Sequence, residues 1–123
     1  MDEAVAYAKE RVAFGKPIAE FQAIQHKIAD MATQIYAGRQ MLYNAAWRHD
    51  QGEDVHLEAA MVKLFCSEAA WRIVDEALQI HGGMGYMQGV PVERMYRDVR
   101  LLRIVEGTSE IQRRIISRAI LEN

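Results

Sequence analysis

The apolar residues of this chain recur at helical spacing over two long segments. In the first segment they fall at alternating steps of three and four from Phe21 to Ala45, with Gly38 in the one remaining slot. This spacing lines them along one face of an α-helix. The pattern predicts a helix over about Ala19–Asp50, roughly 45–50 Å long at 1.5 Å per residue and typical of a helical bundle. Gly38 in this face would let a second helix come close.

The second amphipathic segment predicts a long helix over about Val55–Ile80. It follows a turn at Gln51–Asp54, in which Asp54 is a candidate N-cap. It ends at the glycine-rich sequence HGGMG, where Gly82 suits a C-cap. The predicted inner face of this helix consists of Leu57, Met61, Leu64, Phe65, Trp71, Val74 and Leu78.

Shorter helices are predicted near both ends of the chain. Residues 2–14 have helical character, and Pro91 suits the first turn of a helix that reaches about Ile104. The sequence EGTS interrupts that helix, and Ser109 with Gln112 forms a capping-box pair for a last helix to about Leu121. No strand is predicted, because β-branched residues never alternate with polar ones for long and no Asn-Gly or Asp-Gly turn occurs.

Together these elements predict an all-α antiparallel, up-down domain resembling a four-helix bundle, over residues 1–123. Hydrophobic residues make up 50% and charged residues 26% of the chain, as in a single globular domain. The net charge of −2 argues against nucleic acid or an anionic membrane as the main partner. No apolar stretch approaches the length of a membrane span.

The single cysteine and the N-terminal residues bear on the cellular compartment. Cys66 lies in an apolar helical pattern, cannot form an internal disulfide and fits a reducing compartment. The first residues show neither the order of a signal peptide nor the acid-poor character of a transit peptide. A cytoplasmic location is expected, with the mitochondrial matrix as the alternative for a eukaryotic protein.

Basic and metal-ligating residues show no pattern of a nucleic-acid or metal site. A spacing of three drifts by about 60° per step on an α-helix, so the arginines that recur at this spacing wind around the helix instead of forming one face. Acidic residues are interleaved with them, which predicts salt bridges and subunit contacts. The arginines are Arg94, Arg97, Arg100 and Arg103. The four histidines and Cys66 lack close ligand spacing, so no metal site is predicted.

Three segments carry a family resemblance: ERVAFGKPIAEFQAIQHKIADM, QIHGGMGY and YRDVRLLRIVEGTSEIQRRIISR. In order and spacing they resemble the C-terminal helical domain of FAD-dependent acyl-CoA dehydrogenases, over almost the whole chain. Family members are longer, and their N-terminal helical and middle β domains hold much of the flavin ring and the acyl chain. The resemblance implies a fragment of a longer flavoenzyme, whose Met1 falls inside the first helix of that domain and which is expected to be inactive alone.

Glu106, in EGTS, is the candidate catalytic base. By itself it could be a solvated carboxylate at a helix end, although a break between two helices also lets a carboxylate project from a partly apolar wall. The resemblance implies that Glu106 abstracts the α-proton of an acyl-CoA while the β-hydrogen passes as hydride to the flavin, giving the 2-enoyl-CoA. Some family members place the base on an earlier helix, and the presence of Glu106 favours the common arrangement.

The resemblance also implies contacts with FAD. A guanidinium suits the pyrophosphate, glycines let a backbone approach the adenosine, and a helix N-terminus suits polar flavin edges. Without the resemblance these residues would be a surface arginine and ordinary helix caps. Ala13 and Glu110 depart from the usual family residues. The candidate cofactor residues are Arg11, Phe14, Gln22, Gln79, Ile80, His81, Gly82, Gly83, Thr108, Ser109 and Glu110.

Partners follow from the same resemblance. They are an acyl-CoA substrate of fatty acid metabolism, electron-transfer flavoprotein as acceptor, and further copies of the chain in a dimer or tetramer. In the family, the contacts of Arg11 and of Gln79–Gly83 reach the FAD of a neighbouring subunit. The alternatives are a non-catalytic helical association module, an acyl-CoA oxidase-like flavoprotein, or a monooxygenase relative, which would not need the α-proton base Glu106.

Overall fold

The computed structural model describes residues 1–122, which fold into five α-helices and one short β-hairpin. The helices are α1 (Asp2–Glu10), α2 (Gln22–Asp50), α3 (His56–His81), α4 (Pro91–Leu101) and α5 (Ser109–Leu121). Strands β1 (Val12–Ala13) and β2 (Lys16–Pro17) form the hairpin, and short 3-10 helices span Ile18–Glu20 and Gly82–Tyr86. The prediction of an all-α domain with two long helices and shorter terminal helices is confirmed.

Helix α3 is the centre of the fold, because α1, α2, α4 and α5 all pack against it. Helices that approach from several sides need small side chains at the contacts. The buried residues of α3 are accordingly mostly small or aliphatic: Ala60, Ser67, Ala69, Ile73, Ala77, Ile80 and His81. The predicted inner face is therefore only partly correct, since its large residues between Leu57 and Leu78 are half-buried.

Helix α2 packs on α3 through the predicted apolar face. Met31, Gly38 and Ala45 are buried, whereas Leu42 is 50% exposed. A Cβ built at Gly38 would lie 3.2 Å from the Sγ atom of Cys66. The glycine therefore allows a close approach of α3, although the nearest atoms belong to side chains and not to the backbone. Burial at this contact raises the pKa of the Cys66 thiol.

The β-hairpin replaces the last turn of the predicted first helix. Helix α1 ends at Glu10 instead of Phe14, and Val12 pairs with Pro17 in antiparallel register. The two turn residues have positive φ, 52° at Phe14 and 81° at Gly15, as in the two-residue turns that usually carry Asn-Gly or Asp-Gly. The prediction of no strand is wrong here. The turn carries Phe-Gly in place of the usual Asn-Gly or Asp-Gly, so the sequence did not indicate a hairpin.

The caps of α3 and α5 confirm one prediction and correct another. Gly82 is the C-cap of α3, with a φ of 57°. The N-cap of α5 is Thr108 and not Ser109, and the Thr108 hydroxyl accepts a hydrogen bond from the backbone N–H of Ile111 at 3.3 Å. Ser109 is buried inside the first turn, so the predicted pairing of Ser109 with Gln112 does not form a capping box.

Two further boundaries differ from the prediction. Val55 is the residue that precedes α3, while the Asp54 carboxylate accepts from the backbone N–H of His56 at 3.0 Å. Asp54 thus forms a local turn with the residue two positions on instead of capping the helix. Helix α4 ends at Leu101 and not at Ile104, because the chain tightens there into the turn that precedes α5.

The surface of the domain carries paired charges and an apolar face. Within α4, Arg94 pairs with Asp98 and Arg97 pairs with Glu93, which confirms the predicted salt bridges at these positions. On α2, a set of exposed aromatic side chains faces away from α3: Tyr36, Tyr43 and Trp47. Within residues 1–122, no helix combines the length and apolar character needed to cross a membrane.

Candidate functional site

Most of the predicted site residues fall into two groups at different levels along α3. The first group, here called the glycine cleft, contains Arg11 and the segment Ile80–Gly83. The second, here called the EGTS turn, is Glu106–Ser109 and lies over Lys63, nearer the start of α3. Eighteen residues of helix separate Lys63 from His81, which is about 27 Å at 1.5 Å per residue. The two groups therefore cannot contact the same small chemical group.

The glycine cleft is an open cavity of about 900 Å³ between the end of α3, the end of α1 and the loop before α4. Its walls are largely apolar, with Tyr7, Ile18 and Val90 among them. Arg11, His81 and Gln88 contribute charged and polar groups to its lining. A mostly apolar cleft with few polar groups is the usual form of a cofactor site.

His81 is fixed in the wall of this cleft. It is only 6% exposed, and its Nδ1 atom lies 2.7 Å from the carbonyl oxygen of Ala77. Since a carbonyl only accepts, Nδ1 carries a proton and donates it to Ala77. The ring of Tyr7 stacks on His81 with centroids 4.4 Å apart. This stacking couples the end of α3 to α1.

Arg11 lies just after α1, with its backbone held on both sides. Its N–H donates to Tyr7 and its carbonyl accepts from Ile18, both at 2.8 Å. The guanidinium is exposed and forms no ion pair or hydrogen bond within residues 1–122. It is thus a free cation on a fixed backbone at the edge of the cleft, as an anionic ligand requires.

Three other predicted cofactor residues do not line the glycine cleft. Phe14 is 96% exposed at its positive φ and touches Phe21 edge-to-face, with ring centroids 6.1 Å apart. Gln22 is exposed at the start of α2, and Gln79 is exposed on α3 just before the cleft. The structure therefore brings Arg11 together with Ile80–Gly83 but leaves these three side chains facing outward.

The EGTS turn joins α4 to α5 through an unusual backbone. Glu106 and Gly107 have positive φ values of 56° and 88°. Ser109 N–H then donates back to the carbonyl of Arg103 at 3.1 Å, which closes the turn. A positive φ is costly for a residue with a Cβ and marks functional sites when the surroundings enforce it. Phe14 and Glu106 are the two such residues between positions 1 and 122.

Glu106 follows two exposed apolar residues in the chain. It is exposed and makes no ion pair or hydrogen bond to other residues in the range 1–122. Ile104 and Val105 next to it are 50% and 38% exposed. A carboxylate beside an uncovered apolar wall can act as a base once a substrate covers that wall and excludes water.

The N-terminus of α5 adds polar groups near this turn. Ser109 is 1% exposed, and its hydroxyl oxygen is buried without a hydrogen-bond partner among the described residues. The pKa of Glu110 lies below its ordinary range, mainly because its carboxylate accepts a hydrogen bond from its own backbone N–H and then one from the Thr108 hydroxyl. Nearby Arg113 and Arg103 act in the same direction.

Two residues hold the EGTS turn in a way that the sequence did not indicate: Lys63 was not singled out, and Gln112 was predicted only as a capping-box partner. The Nζ atom of Lys63 donates to the carbonyls of Leu102, at 2.9 Å, and of Gly107. Nε2 of Gln112 lies 3.3 Å from the carbonyl oxygen of Glu106 and 3.4 Å from that of Gly107. The one available signal was a lysine inside the apolar sequence MVKLF, which needs polar partners when it is half-buried.

Residues 1–121 match the family model described as acyl-CoA dehydrogenase, C-terminal domain. The caffeyl-CoA reductase-Etf complex subunit CarC of Acetobacterium woodii is 50% identical over 99% of this chain and 32% of that protein. The structure of butyryl-CoA dehydrogenase from Megasphaera elsdenii matches with a TM-score of 0.95 and 43% identity, over 98% of this chain and 31% of that one. The structure of the FAD complex of PigA matches with a TM-score of 0.92 and 39% identity, over 97% of this chain and 31% of that one.

The chain spans about a third of the length of the curated relatives it matches. The family model covers the chain almost completely. The solved relatives share its helical fold, and their sequence identity is high enough to indicate a common family and not only a common fold. The chain therefore belongs to the acyl-CoA dehydrogenase family and is a C-terminal helical domain of that family.

Proposed function

We propose that this chain is the C-terminal domain of a longer FAD-dependent acyl-CoA dehydrogenase, in which Glu106 removes the α-proton of an acyl-CoA thioester. The observation that carries the proposal is Glu106 itself: its carboxylate is exposed and has no partner within residues 1–122, and it stands on a backbone of positive φ directly after the exposed residues Ile104 and Val105. The family membership supports the reaction class.

FAD fits the residues of both groups. In the glycine cleft, a Cβ built at Gly82 or Gly83 would meet nothing within 4 Å, so a flat ligand has room against this backbone. The free guanidinium of Arg11 is suited to a phosphate. At the EGTS turn, the unpartnered Ser109 hydroxyl and the N–H groups at the start of α5 are suited to polar flavin atoms.

The rise of about 27 Å along α3 between Lys63, which contacts the EGTS turn, and His81 in the glycine cleft supports a site built from more than one copy of the chain. We infer that the glycine cleft of one subunit serves the FAD of a neighbour, while the EGTS turn serves the FAD of its own subunit. The exposed aromatic face of α2 gives a surface that further copies or the rest of the enzyme would cover. A homodimer or a tetramer follows.

In the proposed reaction the bonds from hydrogen to the α- and β-carbons break and a carbon–carbon double bond forms. The α-proton goes to a carboxylate oxygen of Glu106, and bound FAD supplies the acceptor for the β-hydride. The chain itself contributes a base held at a fixed position and a helix N-terminus whose N–H groups favour negative charge. The product is the 2-enoyl-CoA.

The same residues can serve the opposite direction. A general base that removes a proton in one direction returns it as a general acid in the other. The reductase name of the relative from Acetobacterium woodii favours this second candidate, reduction of an α,β-unsaturated CoA thioester. The Etf complex in that name supports electron-transfer flavoprotein as the redox partner. An oxidase-like activity would use the same base and differ in its electron acceptor.

Glu106→Gln in the full-length enzyme tests the proposal. The amide keeps the size of the side chain but cannot accept the proton, so FAD should stay bound while bleaching by an acyl-CoA slows by roughly 10²–10⁴-fold. The measurement is anaerobic flavin absorbance after mixing with a panel of saturated acyl-CoA thioesters. Glu122→Gln, an exposed glutamate paired with Arg118 at the end of α5, is the matched control. Bleaching of Glu106→Gln at the wild-type rate would place the base elsewhere.

The same absorbance measurement on the 123-residue chain tests the alternative of a helical association module. We expect no FAD binding by this chain alone, because both residue groups are open to solvent. A bound flavin would need further protein to cover its exposed side. If the isolated chain bound FAD and the flavin were bleached by an acyl-CoA, the missing two thirds of the relatives' length would be dispensable for the reaction.

A further inference from the structure

Lys63 and Gln112 hold the backbone that presents Glu106. We propose that these two residues are positioning residues for the α-proton base, because together they clamp the turn on which Glu106 stands. The inference rests on the proposed role of Glu106. It concerns two side chains that touch neither the substrate nor the flavin in this proposal, and that act through backbone carbonyls alone.

Lys63 reaches the turn from α3. Its side chain extends from the central helix and donates to the carbonyl of Leu102, the C-terminal cap residue of α4, and to the carbonyl of Gly107. The last carbonyls of a helix have no partners within the helix, and a cation is favoured at this negative end of the dipole. One ammonium therefore ties the end of α4 and the EGTS turn to the most central element of the fold.

Gln112 reaches the same turn from the other side. Its side-chain amide comes from the first turn of α5 and donates toward the carbonyls of Glu106 and Gly107. A Cβ built at Gly107 would lie 2.6 Å from Nε2 of Gln112. Gly107 is favoured by its φ of 88°, and a Cβ at this position would also require the Gln112 amide to move.

The two clamps explain how Glu106 keeps a positive φ. Strained backbone persists when the surrounding structure over-determines it. Here the carbonyls of Leu102, Glu106 and Gly107 are held by side chains from two different helices. The carboxylate of Glu106 takes no part in this network and remains free. The base is positioned through its backbone, so no hydrogen bond to its carboxylate has to break before it takes a proton.

Lys63→Met in the full-length enzyme is the test. The change keeps the apolar stem but removes the ammonium, so the turn should loosen and the base should shift. At saturating thioester, the rate constant of flavin bleaching should fall by on the order of 10–100-fold, with the dissociation constant of the thioester and the FAD content unchanged. Amide hydrogen exchange at Ser109 should become faster. Lys63→Arg, which restores a donor cation, should recover part of the rate.

Lys27→Met is the matched control, because Lys27 also bridges two helices but pairs with Glu76, away from the turn. It should change neither the bleaching rate nor the exchange of Ser109. If Lys63→Met does not accumulate as folded protein, Gln112→Met makes the same test from the other clamp, with a side chain of similar length that lacks the amide donors.

The outcomes separate the inference from the proposed function. If no thioester bleaches the wild-type flavin, or if Glu106→Gln bleaches normally, the proposed function fails and the inference fails with it. If both of those controls behave as proposed while Lys63→Met bleaches at the wild-type rate, the inference alone is overturned. It is also overturned if Lys63→Met lowers FAD content, thermal stability and bleaching in the same proportion and Lys63→Arg recovers none of them.

Discussion

At the scale of single residues, backbone conformation separates the candidate functional positions from the rest. Phe14 and Glu106 are the non-glycine residues of positive φ among residues 1–122, and both were singled out by the sequence resemblance. Neither side chain is buried. Burial within this domain therefore does not account for the strain at these positions, and it is explained if the two side chains act on groups outside the domain.

Gly107→Ala tests how much the EGTS turn depends on glycine. The matched control is Gly15→Ala, because Gly15 has a similar φ of 81° but a Cβ there would meet nothing within 4 Å. Gly15→Ala should lower the free energy of unfolding by roughly 1–2 kcal/mol, the cost of a left-handed residue with a Cβ.

Gly107→Ala should lower the free energy of unfolding by about 0.5–1.5 kcal/mol more than this control, since the Gln112 amide must also leave its carbonyl partners. Urea unfolding of both variants at a fixed pH measures the difference. Equal losses in the two variants would show that the contact with Gln112 does not matter.

At the scale of elements, the N-terminus of α5 stabilises the ionised carboxylate of Glu110. The lowered pKa of Glu110 reflects hydrogen bonds from its own backbone N–H and from Thr108. Because the folded pKa is below that of the unfolded chain, this stabilisation is fully present above the ordinary pKa of a glutamate. It is lost as the pH falls through the folded value. The start of α5, and with it the EGTS turn, should therefore loosen in acid.

Glu110→Gln tests this dependence. An uncharged amide has no proton to take up in this range, so the variant should be less stable than the wild type near pH 7 and should lose less stability on acidification to about pH 3.5. Urea unfolding at both pH values gives the comparison. Glu3→Gln, in the first turn of α1 where no side-chain cap is present, should keep the wild-type loss in acid. An unchanged acid loss in Glu110→Gln would contradict the assignment.

At the scale of the whole molecule, the domain looks like part of a larger assembly. Its central helix is surrounded, yet large apolar residues on α2, α5 and the turn before α5 remain exposed. Soluble monomers rarely expose large contiguous apolar patches, so these faces support the proposed contacts with other parts of a longer enzyme or with other subunits. The distance between the glycine cleft and the EGTS turn leads to the same proposal.

Arg11→Met tests the glycine cleft in the full-length enzyme. Removal of a charge-assisted contact to phosphate should weaken FAD binding by roughly 10–100-fold, as expected for a hydrogen bond to a charged group, while the fold is unchanged. Equilibrium dialysis of FAD with circular dichroism as a check measures both. Arg39→Met, which removes an exposed arginine from α2, is the control. Normal FAD affinity in Arg11→Met would exclude this cleft as a phosphate site.

The amino-acid sequence alone determined the two long helices, the glycine C-cap of α3 and the break at EGTS, because periodicity, glycine and capping residues act locally. The resemblance identified Glu106, Arg11 and the glycines as candidate site residues, but the sequence did not show where they lie relative to one another. Only the tertiary structure revealed the hairpin at Phe14 and Gly15. Phenylalanine is unusual in the first position of such a turn, so the sequence did not indicate it.

Tertiary structure also decided that α3 is central and that Lys63 reaches the EGTS turn. Lys63 and Gly107 are distant in sequence, and the contact exists only because α4 and α5 pack on the same central helix. Which carbonyls a half-buried lysine satisfies depends on where helix ends meet in space, and local propensities do not encode this.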